Sequence, residues 1–91
     1  MTMTDVVDAR GMLCPLPVLR LRKALMVLPE GAMLRLIATD PMAAVDVPHF
    51  CGQAGHVMVG MRNLEDGALE FTVRRGPSAS SAASGLTPED T

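Results

Sequence analysis

The chain has 91 residues, is 48% apolar and only 2% aromatic, and carries a formal net charge of −2. That length is one domain with a modest core, too little for a deep cleft plus a cofactor fold, so any chemistry belongs on the surface with a partner protein supplying the rest of the site. With no Trp or Tyr, and with all eight Lys and Arg matched by eight acidic residues within residues 1–75, it lacks both the aromatic platforms and the positive field of a protein that binds nucleic acid directly.

The first residues, Met1-Thr2-Met3-Thr4-Asp5, have neither the basic nor the apolar region of a signal peptide. No apolar run approaches the ~20 residues needed to span a bilayer. The expectation is a cytoplasmic protein with no membrane segment. Its two cysteines, Cys14 and Cys51, are too few for a disulfide scaffold and stay thiols there. Asp5 to Arg10 is a short strand candidate around Val6 and Val7, and Arg10-Gly11-Met12-Leu13 a turn. Pro15 to about Leu28 is predicted as a helix, because Val18, Leu21, Ala24, Leu25 and Leu28 fall on one stripe at 100° per residue. Pro29-Glu30-Gly31 ends it. Met33 to Ala38 is a strand with Leu34, Leu36 and Ala38 on one face.

Asp40-Pro41 reads as a helix start, an N-cap carboxylate followed by proline. Pro48 is expected to interrupt that helix, with Asp46 capping a second turn through Phe50, Cys51 and Ala54 and with Gly55 as its stop. Val57 to Arg62 is the third strand. Leu64-Glu65-Asp66-Gly67 is a hairpin turn, since Asp-Gly between alternating runs is a strong local signal. Ala68 to Arg74 is the fourth strand, with Leu69, Phe71 and Val73 inward and Glu70, Thr72 and Arg74 outward. The order β-α-β-α-β-β predicts an α/β (α+β) two-layer sandwich, a four-stranded mixed sheet with two helices on one face. The domain is placed at residues 1–76. Residues 77–91, small and polar with Leu86 as the single large apolar side chain, are expected to form a disordered tail.

The informative segment is Gly11-Met12-Leu13-Cys14-Pro15-Leu16-Pro17-Val18. Proline breaks a helix interior but costs little in the first turn, whose N–H groups have no intrahelical partner. Pro15 and Pro17 therefore mark the helix start and place Cys14 at the N-cap, held out of the helix because the residue before proline is kept extended. The positive helix end is expected to favour the thiolate there, with Arg22 adding positive potential. A cysteine in such a place is either a reactive thiol or a small buried hydrophobe. Leu16, Leu19, Met26 and Val27 lie opposite the core stripe, interleaved with Arg22 and Lys23. They are either a docking surface or ordinary apolar scatter.

The run from Val7 to Leu19, followed by Arg22-Lys23-Ala24-Leu25, by Ala38-Thr39-Asp40-Pro41 and by Asp46-Val47-Pro48-His49-Phe50-Cys51, resembles the TusA-type, SirA-like sulfur carrier family over about residues 5–75. The resemblance implies that Cys14 receives sulfur as a persulfide from a cysteine desulfurase or other sulfurtransferase and passes it to a downstream acceptor protein. No separate cofactor or metal is implied. Family members serve tRNA thiolation, dissimilatory sulfur metabolism or cofactor maturation. Asp8, Arg22, Asp40 and Phe50 fall on family positions as fold or partner-surface residues. Leu16 occupies the variable place in Cys-Pro-x-Pro, where some members carry Glu, which makes the rim more apolar.

Three other readings stay open on the residues alone. His49, Cys51 and His56, with Cys14 as a fourth ligand, are a metal candidate whose spacing fits no common zinc pattern. Cys14 and Cys51 are a candidate dithiol switch. The first helix is also a candidate noncatalytic interaction module in which Cys14 is incidental. A self-contained enzyme is disfavoured, since no neighbouring His or acid in sequence stands ready as a general base.

Overall fold

The computed structural model describes residues 5–77. Its elements are β1 (Asp5–Ala9), α1 (Leu16–Met26), β2 (Met33–Ala38), α2 (Ala43–Ala54), β3 (Val57–Asn63) and β4 (Leu69–Arg74). The strands form one sheet in the spatial order β1-β2-β4-β3, with β1 parallel to β2 and β4 antiparallel to β2 and β3. β1, β2 and β3 thus run one way, and β4 fills the gap between β2 and β3. Both helical crossovers step across the sheet in the same direction. Crossovers of one hand and one direction lay their helices on one face, where α1 and α2 also touch each other. This is the expected four-stranded mixed sheet with two helices on one side.

The packing follows a four-residue repeat. α1 buries Pro17, Leu21 and Leu25, and α2 buries Ala43, Val47 and Cys51. Between them and the sheet lie Leu34, Leu36, Ala38, Phe71 and Val73, all without solvent exposure. Val18, Ala24 and Leu28 flank this core, as their stripe predicts. Each fully buried Leu, Val or Phe contributes roughly 2 kcal/mol, and these rows of large side chains fix both helices against the sheet. Gly55 closes α2 in the left-handed conformation at φ 83°, and Gly67 turns the hairpin at φ 88°, each a backbone state that glycine adopts without strain.

The structure corrects three expectations and adds a bulge that the sequence did not announce. α1 begins at Leu16 with Pro15 as its cap, so Cys14 lies one residue outside the N-cap. α2 runs unbroken through Pro48. A helix-interior proline costs about 3 kcal/mol, and the burial of Val47 and Cys51 on either side of it is of similar size. β3 carries a bulge, its register shifting between Met58 and Gly60. Glu70 sits on the outer face but is only 6% exposed, because Arg62 Nε at 2.8 Å and Arg35 at 3.3 Å fold over its carboxylate. Apart from Pro77, the tail expected at 77–91 lies outside the described residues.

Candidate functional site

Cys14 lies where the β1–α1 and β2–α2 loops meet, at the carboxyl ends of β1 and β2. Two hydrogen bonds join these loops. The Gly11 N–H donates to Thr39 Oγ1 at 2.9 Å, and the Cys14 N–H donates to Asp40 Oδ2 at 2.7 Å. The other Asp40 oxygen accepts the Met42 N–H at 3.0 Å. Asp40 is therefore not the N-cap that Asp40-Pro41 predicts, because α2 begins only at Ala43 with Met42 as its cap and no side-chain capping bond; its carboxylate instead braces the tight turn ahead of α2 and holds the Cys14 backbone at the same time. Both hydrogen bonds favour its charged form and lower its pKa.

The thiol itself has a partner that sequence reasoning missed. Cys14 Sγ donates to Asp46 Oδ2 at 2.6 Å, from α1's threshold to the first turn of α2. Cys14 is exposed, yet its acidity changes in the direction opposite to the expected one. Its pKa is raised, first by the hydrogen bond to Asp46, then by desolvation, then by the charges of Asp46 and Asp40. The helix end is weak at this place for a reason visible in the motif. Pro15 and Pro17 have no N–H, and the Leu16 N–H is already spent on the Leu13 carbonyl at 2.8 Å, so few donors are left to make α1's start positive. The charged groups acting on the thiol are the two acids and not Arg22. Asp46 is separated from Cys14 by 32 residues. In the sequence it stood only as the cap of a second turn, a place that the unbroken α2 does not give it, and as a member of the Asp46 to Cys51 segment.

A shallow groove of about 310 Å³ opens beside the thiol, lined by Cys14, Pro15, Val18, Asp46, His49, Phe50 and Gln53. Around it the surface is apolar. Leu13 is 71% exposed, Leu16 52%, Leu19 49% and Val45 62%. Leu16, Leu19, Arg22 and Lys23 all face solvent, and Leu13, Met42 and Val45 add a second apolar border from the loop and from α2, which the first helix alone did not reveal. Pro17, expected as a support of the motif, is buried on the inner side of α1.

The metal candidate does not assemble. His49 lines the groove, Cys51 is 1% exposed in the core, and His56 Nδ1 accepts the Gly76 N–H at 2.9 Å. Among the described residues no three His, Cys, Asp or Glu side chains converge as a metal site. Cys14 and Cys51 are both free thiols, one facing solvent and the other the core.

Comparison with known proteins places this geometry. The family model described as Sulfurtransferase TusA matches residues 5–75. The sulfur carrier protein TusA of Pseudomonas savastanoi pv. phaseolicola is 38% identical over 77 residues, covering 85% of this chain and 90% of its own. A putative sulfur carrier protein of Archaeoglobus fulgidus is 40% identical over 68 residues, covering 75% and 88%. The crystal structure of a SirA-like protein from Desulfitobacterium hafniense superposes with a TM-score of 0.73 at 25% identity, over 81% of this chain and all of that one. With the family model spanning residues 5–75 and relatives well above 30% identity, the chain belongs to the TusA sulfurtransferase family.

Proposed function

We propose that this protein is a sulfur carrier that holds sulfur as a persulfide on Cys14, taking it from a cysteine desulfurase or other sulfurtransferase and passing it to a downstream acceptor protein. The observation that carries this reading is an exposed thiol whose backbone is tethered to Asp40 at 2.7 Å, inside an apolar rim, in a chain of this family. The Cys14 sulfur attacks the outer sulfur of the donor's persulfide. A new sulfur–sulfur bond forms as the donor's breaks, and the departing donor thiolate takes up the proton that Cys14 gave up. The exchange conserves atoms and involves no net oxidation, so the site needs only two sulfurs, access and a docking surface. Leu16, Leu19, Arg22 and Lys23 form part of that surface. The covalent persulfide takes the place of a cofactor, and tRNA thiolation or sulfur metabolism in the cytoplasm receives the sulfur. Among the described residues no helix is long and apolar enough to cross a membrane.

The test is intact mass spectrometry after incubation with a cysteine desulfurase and cysteine, or with a sulfurtransferase and its sulfur source. One added sulfur atom, absent in Cys14→Ser, is the expected result. Sulfur that persists in Cys14→Ser, or none from any donor class, overturns the proposal.

A further inference from the structure

We propose that Asp46 is a positioning residue that holds Cys14 as a silent thiol until a cationic side chain of the docking partner takes its carboxylate. The proposal rests on the carrier reading above and concerns how the same thiol is switched on. Cys14 is held at two atoms, its N–H by Asp40 Oδ2 at 2.7 Å and its Sγ by Asp46 Oδ2 at 2.6 Å. The thiol therefore does not turn away from the carboxylate without a change in one of them. The groups that bond Cys14 or line the groove beside it are Asp40 from the loop, Asp46, His49, Phe50 and Gln53 from α2, the uncharged Pro15 that caps α1, and Val18 within it. The ion pairs among the described residues use Asp8, Asp66 and Glu70 as their acids. Asp46 is in none of them, so among the described residues no side chain forms an ion pair with it.

A thiolate formed at this place would lie against an anion, and that repulsion favours the thiol. A partner Lys or Arg paired with Asp46 removes both the acceptor and the repulsion, in an interface that strengthens the pair by excluding water. The proton released from Cys14 ends on the donor's departing thiolate, as the exchange requires. The partner is thus a protein whose reactive sulfur has a cationic group beside it and an apolar border to meet Leu13, Leu16 and Val45, which are all exposed.

Two measurements on the full chain test this, neither involving sulfur transfer. The first is the pH profile of Cys14 alkylation. In Asp46→Asn and Asp46→Ala the midpoint should fall, making alkylation near neutral pH about tenfold faster, whereas Glu65→Gln, an equal change in net charge on the hairpin, should leave it in place. The second compares methanethiosulfonate reagents carrying trimethylammonium or sulfonate. Wild type should favour the cationic reagent by about tenfold, and the preference should shrink to about twofold in Asp46→Asn. An unchanged midpoint in a folded Asp46→Asn overturns the proposal, as does equal reaction of wild type with both reagents, a result that needs no variant to fold. If Cys14 fails to load sulfur while the midpoint falls as described, the carrier reading is lost and the role of Asp46 stands. Normal loading with an unmoved midpoint has the reverse meaning.

Discussion

The two cysteines are held in the thiol form by opposite means. Cys51 is pushed up to about 11 by burial, facing Val47's side of the core. Cys14 is exposed, and its pKa is raised chiefly by a neighbouring carboxylate. Burial can be undone only by opening the fold, whereas a charge is undone by another charge. The difference separates a thiol that belongs to the architecture from one that a visiting protein can activate.

The largest effect that tests this contrast is on sulfur loading. Cys14→Ser should abolish it, and Cys51→Ala should leave it intact, as read by intact mass; loading lost in both variants would erase the distinction. Next comes labelling of the native protein with a neutral alkylating reagent at mildly alkaline pH. A pKa near 11 leaves Cys51 with about 100-fold less thiolate than an ordinary cysteine at 9.0, and burial also keeps the reagent from it, so peptide mapping should find the label on the exposed Cys14. Gly76→Ala sharpens the comparison from the other end of α2. A Cβ there would land on the Gly55 carbonyl, and strain of that kind costs about 2 kcal/mol. The urea midpoint should fall and Cys51 should become easier to label, with Cys14 unaffected.

The smallest effect is on the acid side. The His56 ring accepts the Gly76 N–H on Nδ1 at 2.9 Å, which requires a neutral ring, while its backbone N–H donates to the Cys51 carbonyl at 2.9 Å. Burial and Arg75 lower its pKa from the ordinary 6.5. A depressed histidine pKa contributes stability that is present above the ordinary value and is lost as pH falls through the folded one. Urea midpoints should therefore decline as pH drops below about 6.5, and His56→Gln should flatten that decline. A wild-type slope identical to that of the variant would show that His56 does not carry it.

What could be read from the chain alone was local. The two prolines at 15 and 17, Asp40-Pro41, Gly55 and Asp66-Gly67 each act within a few residues, and each marks a boundary at or near the expected place. The row Leu34, Leu36 and Ala38 was legible because alternation has a period of two and one face was buried. Pro48 misled because the local cost of proline is visible in sequence and the opposing burial of Val47 and Cys51 is not. Glu70 misled because its concealment depends on Arg35 and Arg62, from two other strands. For the site, Cys14 could be singled out from Pro15 and Pro17, but its chemical state could not. That state is decided by Asp46, which is close only because α2 packs beside α1's start.

The strand register has a further meaning for how such a unit is built into larger assemblies. Asp5 pairs with Leu34 and Arg74 with Met33, at the opposite end of β2 from Ala9 and Ala38, which lead toward Cys14. The ends of the described fold therefore leave together, about 17 Å of strand away from the thiol. A protein joined to either end is kept clear of the apolar rim, so the fold can be tethered, fused or duplicated while its sulfur-bearing edge stays open to a docking partner.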